Sequence, residues 1–217
     1  MSGSGSRSRT SSDPAPAAAG SYRRFVVVLS GPSGAGKSSF VGELLRQPLD
    51  LVYSVSATTR AQRPHEEEGR DYFFLARDEF RRRVDAGAFV EWAEVHGELY
   101  GTLRSQTDAA LRAGKNVLLD IDVQGGRAVR AIYPDGVFIF VLPPSMESLE
   151  QRLRGRGTDS EERIRLRLEN ARREIALVRE YDYAVVNDDL AAAEQQVVSI
   201  IVSETLRTAR SADRDVP

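Results

Sequence analysis

The 217-residue chain contains no cysteine, which excludes disulfides and thiolate metal ligands and suits a reducing, cytoplasmic setting. It also has almost no net charge, −2 from 30 basic and 32 acidic side chains. No overall field therefore directs it to nucleic acid or an anionic membrane, and any anion site must come from local clustering of arginines. No apolar run approaches the roughly 20 residues of a membrane helix, and the first 21 residues lack the apolar core of a secretory signal. Histidine is limited to His65 and His96, both read as surface or packing residues, so no imidazole base is expected. Lysine is nearly missing too: Lys37 and Lys115 are the only two among the 30 basic residues.

What is present fits one soluble globular domain, with 41% apolar and 29% charged residues. Residues 1–21 are Ser-, Gly-, Ala- and Pro-rich with almost no large apolar side chains, and are expected to form a disordered tail because they cannot offset the entropy of ordering. Their Ser/Arg-rich, acid-poor character leaves a transit peptide as the less favoured reading. Phe25 to Ser30 (FVVVLS) is a continuous β-branched run, the pattern of a strand buried on both faces. A glycine loop follows, and Ser38 to Leu45 reads as a helix. Asn116 to Ile121, Val137 to Leu142 and Tyr183 to Val186 look like further strands of one parallel sheet, separated by helix-like segments.

Between the first helix and Gly114 the pattern changes. Leu51 to Ser56, Asp71 to Ala76, Phe89 to Ala93 and Glu98 to Tyr100 are short and rich in aromatic or β-branched residues. They predict an inserted, largely antiparallel lobe with one helix near Asp78 to Ala86. A third region begins after residues 143–145: a helix from Met146 to Arg154, a break at Gly155 and Gly157, and a longer helix from about Glu161 to Tyr181. Ile164, Leu168, Ala171, Ile175 and Val178 form its apolar stripe. A last helix runs from about Leu190 to Arg207, beyond which the chain is expected to fray.

The loop Gly31-Pro32-Ser33-Gly34-Ala35-Gly36-Lys37-Ser38 fits GxxxxGK[ST] at every fixed position, with Ser39 following. Glycines let successive backbone N–H groups converge on phosphate oxygens at a helix N-terminus. Lys37 is placed to reach the outer phosphates, and the Ser38 hydroxyl to take a position on Mg2+. Strand before and helix after separate this reading from a glycine turn with a solvated lysine. Val117-Leu-Leu-Asp120-Ile-Asp122 ends an apolar strand in two acids, at the strand end where ligands of open α/β sheets gather. Asp120 is the favoured metal carboxylate. Asp122 also suits an N-cap for the helix that begins near Val123. Arg60, Arg63, Arg152, Arg156, Arg163 and Arg167 sit beside glycine or turn residues, where a guanidinium can take phosphate bidentately. Arg81 to Arg83 and Arg172-Arg173 read as exposed helix faces.

Taken in order, GPSGAGKSS, SVSATTR with a following Arg, EEEGRDY, EWAEVHGELYGT, LLDIDVQG, RLRGRGTDSEE and VVNDDL resemble the guanylate kinases from about residue 25 to 205. The resemblance implies a P-loop NTPase α/β core with a five-stranded parallel sheet, an inserted mixed or antiparallel GMP lobe and a small helical lid. The boundaries expected are a domain over 22–207, with core at 22–52, 104–150 and 170–207, lobe at 53–103 and lid at 151–169. It implies Mg2+-dependent transfer of the ATP γ-phosphoryl group to GMP or dGMP. Neither a nucleic-acid nor a membrane partner is expected, and the oligomeric state is left open.

Carried over by position, Lys37, Arg152, Arg156 and Arg167 are the catalytic set. Residues 31–39 and Asn187 take ATP. Ser56, Arg60, Arg63, Tyr72, Glu91, Tyr100, Thr102 and Asp122 take GMP, and Ser38 and Asp120 take the metal. Glu91 and Asp122 suit guanine chemically, because N1–H and the N2 amino group donate and ionised carboxylates only accept. Without the resemblance, Glu91 reads as a strand residue facing water. Arg163 matches no role and is read as exposed. His65 stands where the family commonly has glycine. The rival reading, a phosphopeptide-binding module of the same fold, sits poorly with an intact glycine loop.

Overall fold

The computed structural model describes residues 23–210 apart from 96, 156 and 158. The first 21 residues, read above as a tail, and the end of the chain from 211 lie outside the described residues.

In chain order the elements are β1 (Val26–Ser30), α1 (Lys37–Leu44), β2 (Leu51–Tyr53), β3 (Ser56–Thr58), β4 (Phe73–Phe74), α2 (Arg77–Asp85), β5 (Phe89–Val95) and β6 (Glu98–Leu103). There follow α3 (Arg104–Arg112), β7 (Asn116–Asp120), α4 (Val123–Ile132), β8 (Val137–Leu142), α5 (Met146–Gly155), α6 (Glu161–Ile175), β9 (Tyr183–Val186) and α7 (Leu190–Thr205). Five strands make a parallel sheet in the order β2-β7-β1-β8-β9, and four make a second, mixed sheet in the order β4-β3-β6-β5.

The β-branched run of β1 is central in the first sheet, and its alternation sorts the two faces. Val27 and Leu29 pack with Leu118, Ile139 and Val141 beneath Phe40 and Leu44 of α1 and Val197 and Ile201 of α7. Val26 and Val28 pack with Val117, Leu119 and Phe138 against Val129 of α4. Val90 joins that second cluster from β5, tying the mixed sheet to the parallel one. The mixed sheet has a core of its own in Ala57, Phe80, Phe89, Leu99 and Leu103. There Phe80 and Phe89 stack with ring centroids 4.3 Å apart, a geometry worth about 1 kcal/mol beyond the area it buries.

Three sequence expectations change. Leu51 to Ser56 is not one strand: β2 pairs with β7 and supplies the fifth strand of the parallel sheet, while β3 starts the mixed one. Composition could not place that boundary, because each strand is only three residues long. The mixed sheet is largely antiparallel as expected: β6 runs antiparallel to β3 and β5, and only the two-residue β4 runs parallel to β3. The long helix stops at Ile175 rather than Tyr181, because the chain must turn through a 3-10 segment for Asp182 N to reach Phe138 O and start β9. The first part of the stripe holds: Ile164 and Ala171 are buried, with Leu168 beside them, on Leu149 and Leu153 of α5, while Val178 falls in the 3-10 segment. At the far end, residues 208–210 are not loose. Arg210 is buried on Glu204 at 3.0 Å and lies over the Phe25 ring. Among the described residues no helix is long and apolar enough to cross a membrane.

Candidate phosphoryl-transfer site

The glycine loop joins β1 to α1 at the carboxyl edge of the parallel sheet, and two of its glycines are dictated by space. A Cβ on Gly31, whose φ is 144°, would stand 2.2 Å from Val141 O. One on Gly36, whose φ is 98°, would stand 2.2 Å from Asn187 Nδ2. Both conformations are ones that side chains resist. Asn187 is buried under the loop, and its Nδ2 donates to Ala35 O at 2.8 Å. Arg152, from α5, donates through Nη2 to Asn187 O at 2.8 Å and through Nη1 to Ala35 O at 3.5 Å. Arg167, from α6, donates to Ser33 Oγ at 2.7 Å. Lys37 Nζ donates to Gly31 O at 2.6 Å, folded over its own loop.

Ser38 Oγ donates to Asp120 Oδ2 at 3.4 Å. Burial raises the Asp120 pKa, and the Lys37 charge and the Ser38 hydroxyl oppose that rise. Two hard oxygen donors at the mouth of the loop fit a small divalent cation that keeps most of its shell as water and phosphate oxygens. Among the described residues no three His, Cys, Asp or Glu side chains cluster closely enough to cage a metal by themselves.

The base-reading candidates come together in the mixed sheet. Ser56 faces Thr102, and Thr102 faces Glu91, so the three stand in one row across β3, β6 and β5. Thr102 Oγ1 donates to Glu91 Oε1 at 2.7 Å. A bulge between Phe89 and Glu91 produces the row: it lets Phe89 turn into the lobe core, sends Val90 to the parallel sheet, and brings Glu91 onto the Thr102 face. Burial raises the Glu91 pKa, the Thr102 hydroxyl opposes, and the Asp122 charge adds to the rise. Asp122 caps α4, its Oδ1 accepting from Gly125 N at 2.8 Å. Glu91 Oε2 lies 3.3 Å from where a Cβ on Gly125 would be, so the two acids converge on that glycine.

They also share a cavity of about 400 Å³ between β5 and α4. A second cavity of about 390 Å³ lies over the glycine loop, with Lys37, Ser38 and Asp120 in its wall, and Asp122 lines both.

Arg60, Tyr72 and Tyr100 form a third group. The Arg60 guanidinium lies 5.4 Å from the Tyr72 ring centroid, and the Tyr72 and Tyr100 centroids are 6.0 Å apart. Arg63 is exposed on the adjoining loop, and its backbone N–H donates to Glu66 Oε2 at 2.9 Å. Arg156 lies outside the described residues.

Two acids escaped the sequence reading. Glu66 takes Arg60 Nη2 at 2.7 Å with its own side chain 8% exposed, so the first Glu of the EEE turn has an inward duty that solvent-facing composition hides. Glu174 lines the cavity over the glycine loop, where burial raises its pKa, Lys37 opposes and Asp122 adds. The available signal was spacing: Glu174 follows Arg167 by seven residues, two turns along one helix face.

Residues 23–204 match the family model described as guanylate kinase. The chain is 50% identical over 187 residues to a guanylate kinase of Thermotoga maritima, covering 86% of this chain and 90% of that one. It is 49% identical over 186 residues to a guanylate kinase of Desulfitobacterium hafniense, covering 86% and 93%. Among solved structures it resembles the guanylate kinase of Anaplasma phagocytophilum, with a TM-score of 0.71 and 35% identity over 88% of this chain and 92% of that one.

Proposed function

The chain belongs to the guanylate kinase family, and from that premise we propose that it transfers the γ-phosphoryl group of ATP to GMP or dGMP, giving ADP and GDP or dGDP. The observation that carries this reading is the place of Asp122: it lines the cavity over the glycine loop, and it meets Glu91 at Gly125, where Glu91 ends the row that Thr102 and Ser56 continue. A donor triphosphate fits the cavity over the loop, and a base that donates from adjacent N1 and N2 positions fits the two acids.

In this reading Ser56, Thr102, Glu91 and Asp122 hold guanine. Adenine offers an acceptor at N1 and no amino group at C2, so it leaves Glu91 unpaired in a buried site, a loss that can discriminate by about 10⁴ to 10⁵. Arg60, Arg63, Tyr72 and Tyr100 take the acceptor phosphate. Residues 31–39 cradle the donor phosphates, and Asn187 shapes the adenosine side by fixing the loop at Ala35. Ser38 and Asp120 would hold Mg2+, which when bound neutralises charge on the outer phosphates.

The nucleophile is an oxygen of the GMP phosphate, whose second pKa of about 6 leaves it largely ionised at neutral pH. No side chain has to remove a proton, which is consistent with a site of Lys, Arg and Asp. The work lies in bringing two polyanions together in line, and Lys37, Arg152, Arg156 and Arg167 supply the positive charge for it. Residues 53–103 act as the GMP lobe and 151–169 as the lid, excluding water as a competing acceptor. The setting is a reducing cytoplasm.

One assay decides the acceptor: ADP release from ATP with GMP, dGMP, AMP and UMP in parallel. Turnover on GMP and dGMP at least a thousandfold above AMP and UMP is expected from the Glu91 argument. Comparable rates on AMP would overturn it.

A further inference from the structure

Arg163 and Asp159 are left over by the proposed chemistry, yet the structure ties both to one of its residues. Asp159 directly precedes Ser160, the N-cap of α6, whose Oγ accepts from Arg163 N at 3.4 Å. Its carboxylate is 6% exposed, much less than its place at the edge of a loop suggests. Oδ2 lies 3.2 Å from Arg167 Nε, and Oδ1 lies 3.9 Å from Arg163 Nη1. Arg163 and Arg167 stand four apart on one face of α6, and Asp159, just before the helix, meets both.

We infer that Asp159 is a positioning residue that aims Arg167 at the glycine loop. A guanidinium is planar, and its donors leave in fixed directions. The ion pair with Asp159 places the Nε end of that plane, and from there Nη1 donates to Ser33 Oγ, 2.7 Å away. The backbone of α6 is already fixed by Ile164, Leu168 and Ala171 on α5. What remains to be ordered is the long side-chain torsion set of Arg167, which is 32% exposed. Asp159 meets the guanidinium at Nε and Ser33 meets it at Nη1, so the acid and the loop engage different atoms of it. Arg163, 3.9 Å from the second carboxylate oxygen, adds a positive charge that favours this placement of the acid. This gives Arg163 a purpose that its sequence position did not reveal.

The inference rests on the reading of Arg167 as a phosphate-holding side chain, and the experiment separates the two. Steady-state turnover, GMP affinity by calorimetry and the thermal midpoint are measured for wild type, Asp159→Asn, Asp159→Glu, Arg167→Ala and the double variant Asp159→Asn/Arg167→Ala. Expected is a roughly tenfold lower kcat for Asp159→Asn with GMP affinity within twofold of wild type, since acceptor contacts are not touched. Asp159→Glu keeps the charge but moves it by one methylene, and is expected to lower kcat as well while melting like wild type, which covers the case in which Asp159→Asn folds poorly. In the Arg167→Ala background, Asp159→Asn should cost nothing further, because residues acting as a unit are not additive. Wild-type kcat in both Asp159 variants alongside an impaired Arg167→Ala would overturn the inference and leave the role of Arg167 standing. So would an Asp159→Asn loss that is undiminished without Arg167, which marks a merely structural acid. Wild-type turnover by Arg167→Ala would overturn the role of Arg167, and the inference with it.

Discussion

Thr102 and Glu91 face one another across β5 and β6, and the threonine hydroxyl donates to the carboxylate at 2.7 Å. That bond compensates only part of the burial of Glu91, whose pKa stays raised above its ordinary value of 4.5. Between the ordinary and the raised pKa the folded protein binds more protons than the unfolded chain, so stability falls as pH rises through that window. Above it, the ionised Glu91 disfavours the unliganded fold. Glu91→Gln keeps an acceptor for Thr102 and removes the charge. It should raise the thermal midpoint at pH 7 by about 2 °C, with the gain vanishing as pH drops below the ordinary carboxyl range. The same variant should bind GMP about a hundredfold more weakly, the scale of a charge-assisted hydrogen bond, and ATP normally. A melting series against pH, with calorimetry for both nucleotides, checks all three. Equal losses for ATP and GMP would remove Glu91 as a base reader.

Gly36 and Asn187 are coupled by space. Gly36→Ala puts a methyl group where Asn187 Nδ2 lies, at a φ of 98°, and should displace that amide from Ala35 O. Weaker ATP binding, by about tenfold or more, and a lower thermal midpoint are expected, because left-handed backbone alone costs about 1–2 kcal/mol. Asn187→Ala should weaken the loop by itself yet relieve Gly36→Ala, so that the double variant melts higher than the sum of the two effects predicts. Strict additivity in a calorimetric double-mutant cycle would contradict the steric coupling.

The parallel sheet and the glycine loop were legible because each has a signal within a few residues: β-branched runs for Val26–Ser30 and Val137–Leu142, a fixed motif for Gly31–Ser38. Glu91 was different. Its chemistry depends on a bulge at Phe89 and on its opposition to Thr102 and convergence with Asp122 at Gly125, and these are long-range relations that no local pattern carries. Family resemblance supplied that residue, and the fold explains it. Glu66 and Glu174 had neither aid. Both belong to polar stretches whose composition reads as solvent-facing, and only tertiary placement turns one toward Arg60 and the other toward Lys37. The split of residues 51–56 between two sheets was illegible for a related reason, since a two-residue crossing leaves no change of period to see.

Glu66 holds Arg60 in place before any phosphate arrives. Its two oxygens take Arg60 Nη2 and Arg63 N, and these two bonds, the guanidinium first, hold its own pKa below the usual carboxylate range. The guanidinium is thereby kept beside Tyr72 and Tyr100 rather than sampling solvent. Glu66→Gln should raise KM for GMP roughly fivefold, the scale of ordering one long side chain on binding, with KM for ATP unchanged. A lower KM for GMP would mean that Glu66 competes with the phosphate instead of preparing its site.

Lys37 lies on the glycine-loop side of Asp122. Its ammonium rests on Gly31 O at 2.6 Å and its field reaches Asp120 and Glu174, while the row of Ser56, Thr102 and Glu91 lies in the mixed sheet. Lys37→Ala should therefore separate chemistry from acceptor binding. Turnover should fall by about a hundredfold or more, as when a preorganised charge is removed from a transferring group. GMP affinity in the absence of ATP should stay within threefold of wild type. Single-turnover phosphoryl transfer and GMP calorimetry on the same preparation give both numbers. Near-normal transfer would sink the proposed mechanism. A matching collapse of GMP affinity would place Lys37 on the acceptor side instead, against the division of the site at Asp122.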